Sequence, residues 1–275
     1  MNARVLVDGA PETRISVSDR GLLYGDGLFE TILFVRGTAP LWARHMQRMR
    51  AGCGRLALQP PDETAVAREA AAVAEGMPRA VVRITLTRGS GARGYAPPAN
   101  ARATRIVAAF EPPFMDPDWY AGGIRVRFGD LRLSVQPRLA GIKHLNRLEQ
   151  VLARAEWSEA GVFESLLFDA RENLVGATAA NVFVAQGGTL ATPDVSACGI
   201  AGVAREEILQ TLPRTEVRTI RKEALMRADE IFLCSSVRGI LPVRELDGRS
   251  FAPGAFAHAL QAHWRMLGLM PRDSA

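Results

Sequence analysis

The chain has 275 residues, 48% apolar and 23% charged, the balance of a globular protein with material for one large domain or two ordinary ones. Its formal net charge is +5, but the Arg residues are scattered and form no block of like charge, which argues against nucleic acid and suits small anionic ligands. No apolar run approaches the roughly 18–20 residues of a membrane helix, "MNARVLVDGAPETR" lacks a signal-peptide core, and Cys53, Cys198 and Cys234 are odd in number and far apart; a cytoplasmic protein without membrane contact is expected.

Alternating apolar runs predict strands at 4–9, 29–37, 80–89 and 103–110. Helical spacing predicts helices over 41–56, where Trp42, His45, Met46 and Met49 recur every three or four residues, and over 62–76, where Asp62 is the N-cap. "EPPFMDPDWYAGG" then breaks the pattern with three prolines and two glycines, so 113–123 reads as a linker between a smaller N-terminal domain, 1–112, and a larger C-terminal one, 124–275. Beyond it come a strand at 124–128, a helix from about 144 to 160, and short strands through 163–193 with turns at "DAREN" and "QGG". A helix at 202–211, a strand at 214–219, a short helix near 222, a strand at 230–236 and a helix at 254–268 complete an α/β (α+β) chain.

"RGSGARGY" contains G-x-G-x-x-G after a strand, but a dinucleotide site needs a helix directly behind it, and the prolines of "YAPPANARA" block one. A flexible substrate loop carrying Arg88, Arg93 and Tyr95 fits better. The four histidines show no metal spacing, and neither H-E-x-x-H nor G-x-S-x-G occurs. In "SVSDRGLLYGDGLFETI", Tyr24 and Glu30 stand in a glycine-punctuated bend as residues able to line a site.

All but two of the 34 basic residues are Arg; the exceptions are Lys143 and Lys222. Lys222 opens a short charged helix, where a solvated role suffices. Lys143 heads "HLNRLEQVLARAEW", with Leu145, Leu148, Val151 and Leu152 on one face and Glu149, Arg154 and Glu156 toward the other. Arg would serve equally well there as a charge, but only Lys can become the neutral amine that Schiff-base chemistry requires.

Together "SDRGLLYGDGLFET", "RGSGARGY", "AGIKHLNRLEQVLAR", "TAANVF" and "CGIAGVAREEIL" resemble the class IV aminotransferase-like proteins, the fold-type IV pyridoxal-phosphate enzymes that include D-amino-acid aminotransferase. Within them the chain is most similar to the aminodeoxychorismate lyases. The resemblance implies a two-domain homodimer with pyridoxal 5'-phosphate between the domains and Lys143 as Schiff-base lysine and proton shuttle. It implies that Arg48, the amides of Val203 and Ala204, and Ser236 bind the cofactor phosphate. The residues themselves offer Tyr24, Glu30, Arg93 and Tyr95 as candidates to contact a small anionic substrate. A lyase forming 4-aminobenzoate and pyruvate is the implied activity; a branched-chain or D-amino-acid aminotransferase is the alternative. The family often carries Glu five residues before the Asn of "NVF", facing the pyridine nitrogen. Here that position is Gly176, and Glu172, in a turn, is not expected to replace it.

Overall fold

The computed structural model describes residues 4–270. Its contacts divide the chain into two units. One runs to Pro113 and includes Ile142–Asn146; the other comprises Phe114–Gly141 and the chain from Arg147 onward.

The first unit is built on β1 (Arg4–Val7), β2 (Ala10–Pro11), β3 (Gly27–Val35), β4 (Arg79–Thr87) and β5 (Thr104–Phe110). These form one antiparallel sheet in the order β2-β1-β5-β4-β3. Three helices accompany it: α1 (Arg20–Tyr24), α2 (Trp42–Leu56) and α3 (Glu63–Ala74). Asp62 caps α3 as expected, its carboxylate accepting the Thr64 and Ala65 N–H groups. His45, Met46 and Met49 on α2 are buried, so the spacing identified the inward face correctly. The bend before β3 is itself helical: Asp19 accepts the Gly21 N–H and starts α1.

The second unit opens with α4 (Pro117–Ala121), a five-residue helix inside the proline-rich stretch. It continues through β6 (Ile124–Leu133), α5 (Leu148–Ala155), β7 (Val162–Asp169), β8 (Leu174–Ala177), β9 (Asn181–Gln186), β10 (Thr189–Pro193) and α6 (Val203–Thr211). Then come β11 (Glu216–Arg218), α7 (Lys222–Leu225), β12 (Glu230–Ser235), β13 (Gly239–Leu246), β14 (Arg249–Ser250) and α8 (Ala255–Met266). The sheet order is β11-β10-β9-β12-β13-β6-β7-β8, with β14 on β13. Phe183 and Phe232 stack at 5.1 Å across β9 and β12, and Trp264 of α8 is fully buried. Strand β13 has no counterpart among the predicted elements because Pro242 interrupts its pattern. Pairing with β6 begins only at Val243, where the register is irregular.

The helix expected over 144–160 is shorter than the sequence implies. Residues 143–146 are not helical; they lie along the outer edge of β3. Phe29 N–H donates to the Lys143 carbonyl at 2.9 Å and Leu145 N–H to the Gly27 carbonyl at 3.0 Å. The segment therefore covers backbone groups that an edge strand would otherwise leave open. Gly27 makes room for it, since a Cβ there would stand 2.8 Å from Leu145 Cδ1.

The faces of α5 are also reversed from expectation. Glu156 accepts the Asp130 and Leu131 N–H groups, and Glu149 accepts that of Ser134, so its carboxylates face β6 and the turn after it. Leu148, Val151 and Leu152 are 70%, 61% and 54% exposed.

Candidate active site

In the first unit, Lys143 is held by its backbone against β3, and its Nζ lies 4.3 Å from the centroid of the Phe29 ring. The next residue on β3, Glu30, is 1% exposed. Its carboxylate accepts Arg48 Nε at 2.8 Å and Nη2 at 2.5 Å, and His45 Nδ1 at 2.7 Å. His45 and Arg48 stand three residues apart on α2 and so share a face. Glu30, expected on the substrate side, is here a buried carboxylate with both oxygens engaged, the counter-ion of Arg48.

The charges agree with that geometry. Burial acts to raise the Glu30 pKa, but the charge and hydrogen bonds of Arg48, then those of His45, outweigh it and hold the carboxyl at about 2 against an ordinary 4.5. Burial lowers His45, Glu30 opposes that only in part, and the charges of Arg48 and Lys143 lower it further. His45 is then a neutral ring whose Nδ1–H donates to Glu30. A carboxyl depressed on folding adds stability that is complete above its unfolded value and lost as pH falls through its folded one. Urea unfolding at stepped pH should show this loss between about pH 4.5 and 2, and Glu30→Gln should flatten the wild-type dependence across that window.

Tyr24 and Tyr95 meet at the glycine loop, which also carries Arg93. Tyr24 Oη accepts the Gly94 N–H at 3.2 Å, and the Tyr24 and Tyr95 rings are 5.5 Å apart. Tyr95 is 87% exposed, and Arg93 beside it is exposed too. Buried Arg20 pins this loop by donating to the carbonyls of Gly94 and Tyr95 at 2.8 and 3.0 Å. Arg20 and Arg88 both bind Asp26; their hydrogen bonds and charges outweigh burial and lower its pKa. The loop is therefore anchored rather than loose, an arrangement that its glycine content does not reveal.

In the second unit, Val203 and Ala204 occupy the buried first turn of α6. Gly202 at the N-cap supplies no side-chain cap, so nothing from this residue competes for the amides at the positive end of the helix. Asn181 organises the approach: its Nδ2 donates to the Ile200 carbonyl at 2.9 Å, and a Cβ on Gly202 would lie 2.0 Å from its Oδ1. Asn181 pairs with Cys234 on β12, and Ser236 follows that strand directly. Buried Arg205 adds a cation to the same turn, donating to the Pro193 carbonyl at 3.1 Å. The roles of Asn181 and Arg205 escape sequence reasoning, although both stand inside the quoted motifs. Gly202→Ala should displace Asn181, lower stability by about 2–3 kcal/mol and weaken phosphate-dependent cofactor binding; thermal melts and cofactor titration measure both.

Gly176 lies buried in β8, where a Cβ would meet the Ala180 carbonyl at 3.2 Å. Glu172 is bound elsewhere, accepting Arg132 Nε and Nη2 at 2.6 and 3.0 Å. The uncapped, buried end of α6 suits a phosphate, and Lys143 with the braced Arg48 suits an aldehyde-bearing phosphate ester, so the residues of each unit fit pyridoxal phosphate.

The class IV aminotransferase family model matches residues 27–246. The chain is 32% identical over 241 residues to the aminodeoxychorismate lyase of Vibrio harveyi, covering 86% of this chain and 89% of that protein. It is 31% identical over 248 residues to a putative branched-chain-amino-acid aminotransferase of Methanocaldococcus jannaschii, covering 86% and 84%. The crystal structure of 4-amino-4-deoxychorismate lyase from Pseudomonas aeruginosa superposes with a TM-score of 0.91 at 44% identity, covering 95% of this chain and 98% of that one. The chain belongs to the class IV aminotransferase family and is a pyridoxal-phosphate-dependent enzyme of fold type IV.

Proposed function

We propose that the chain is an aminodeoxychorismate lyase, converting 4-amino-4-deoxychorismate to 4-aminobenzoate and pyruvate. The observation that carries this reading is the 44% identity, over 95% of the chain, to the Pseudomonas aeruginosa lyase. The glycine at 176 is consistent with it. Loss of enolpyruvate creates an aromatic ring, and that driving force lessens the need for a carboxylate beside the pyridine nitrogen.

Bound pyridoxal phosphate supplies an electron sink at the carbon bearing the substrate amine. Lys143 Nζ is the amine that would hold the cofactor in the resting enzyme. As a free amine Lys143 would take the C4 proton of the substrate and return a proton to the departing enolpyruvate. In the first unit Arg48, and in the second Ser236 and the amides of Val203 and Ala204, are the groups that would bind the cofactor phosphate. Arg93 can fork onto a substrate carboxylate, with Tyr24 and Tyr95 at its side. The exposed apolar face of α5 supports a homodimer. Three buried free cysteines support a reducing, cytoplasmic setting, and among the described residues no helix is long and apolar enough to cross a membrane.

The test is product analysis. The purified enzyme, given 4-amino-4-deoxychorismate, should release 4-aminobenzoate and pyruvate in equal amounts. Likeness to the putative branched-chain-amino-acid aminotransferase of Methanocaldococcus jannaschii, and to D-alanine aminotransferase of Bacillus licheniformis, favours a second reading, amino transfer from branched-chain or D-amino acids. Transfer to 2-oxo acids faster than pyruvate release would establish that reading and displace the lyase.

A further inference from the structure

We propose that Glu30 and His45 form a buried brace that fixes the Arg48 guanidinium for a phosphate monoester. Neither residue touches ligand, yet together they set how strongly the enzyme prefers pyridoxal phosphate to its dephosphorylated form. This rests on the reading of Arg48 as a phosphate ligand.

Arg48 carries a long, rotatable side chain that is only 13% exposed. Glu30 grips its Nε and Nη2 in a fork, which fixes the plane of the guanidinium as well as its position. Glu30 is itself fixed by His45 Nδ1–H, from a ring that is fully buried and whose Nε2 has no hydrogen-bond partner. The orientation therefore passes from His45 through Glu30 to Arg48. Compared with apolar side chains of similar volume, a buried ion pair contributes little net stability, because removing two charges from water offsets their attraction. Its value here is geometric. Glu30 also adjoins Phe29, whose N–H binds the Lys143 carbonyl and whose ring faces Lys143 Nζ. Two consecutive residues of β3 thus register the amine that takes the aldehyde and the guanidinium that takes the phosphate.

Charge alone predicts the opposite sign. Glu30 cancels the charge of Arg48, so if net charge governed binding, Glu30→Gln would tighten the hold on phosphate. If the brace governs, that substitution loosens it, because the new amide presents N–H where Arg48 needs an acceptor.

The experiment titrates cofactor-free full-length enzyme with pyridoxal phosphate and with pyridoxal, and takes the ratio of the two dissociation constants. Glu30→Gln and His45→Phe should each reduce the preference for the phosphate ester by about tenfold or more, with pyridoxal binding unchanged. His45→Asn, whose amide can replace Nδ1–H, should retain most of the preference. Arg48→Met should lose at least as much as either brace variant. A ratio unchanged in Arg48→Met would overturn the phosphate role of Arg48, and the brace with it. A collapse in Arg48→Met beside an unchanged or increased preference in Glu30→Gln and His45→Phe would sink the brace alone. Parallel weakening of pyridoxal and its phosphate would make the cluster purely structural and also overturn the proposal. Should Glu30→Gln not fold, the contrast between His45→Phe and His45→Asn decides.

Discussion

Lys143→Ala should lose more than about 10³-fold of turnover, since one amine serves both as cofactor attachment and as proton carrier. The purified variant should also lose the visible absorbance that a lysine Schiff base gives to the wild type. Its fold should persist, because the 143–145 segment is held to β3 by backbone hydrogen bonds that alanine retains. Thermal melting and circular dichroism separate loss of chemistry from loss of structure. Lys222→Ala is the internal control: its Nζ lies 4.0 Å from the Phe128 ring in the second unit, and its removal should leave both turnover and colour in place. A coloured, active Lys143→Ala enzyme would overturn the assignment of this lysine, and with it the mechanism.

The second large effect concerns assembly. Leu148, Val151 and Leu152 present an apolar stripe outward, while the carboxylates of Glu149 and Glu156 turn inward to backbone amides. A helix so oriented leaves its apolar face without a partner inside its own chain. Burial of these three side chains in each of two copies would contribute on the order of 10 kcal/mol before the entropy of association. Leu148→Glu combined with Leu152→Glu should therefore convert a dimeric wild type to monomer in sedimentation equilibrium, with near-native helix content. An unchanged mass for that variant, or a monomeric wild type, would remove α5 as the contact surface.

Local patterns made much of the fold legible. The buried spacing on α2, the Asp62 cap of α3 and the alternation of β3, β4 and β5 are encoded by residues that lie close together in sequence. The start of α5 was not legible in that way, because 143–145 is held extended by hydrogen bonds to residues more than a hundred positions earlier. Nor could periodicity tell which way α5 faces, since an apolar stripe has the same spacing against a core or against another chain. Lys143 stood out by composition, as a rare lysine in an Arg-rich chain. The grouping of Glu30 with His45 and Arg48 did not. Its signal was available only as a three-residue spacing on α2, and its partner sits on a separate strand. Asn181 was similarly hidden: its importance arises from contact with the backbone of a distant helix end, and no local pattern records that.

The way Ile142–Asn146 joins the first unit has a genetic corollary. The residue expected to carry the chemistry is encoded between two stretches of the second unit, so neither unit corresponds to one uninterrupted piece of gene. Cutting the coding sequence after Pro113 and exchanging the halves with those of a relative would transplant the lysine away from the strand that aligns it. Recombination can respect this arrangement only if the short insert travels with the front of the chain or is matched to β3 after the exchange. Chimeras that ignore it should inherit a lysine fitted to a strand they no longer contain.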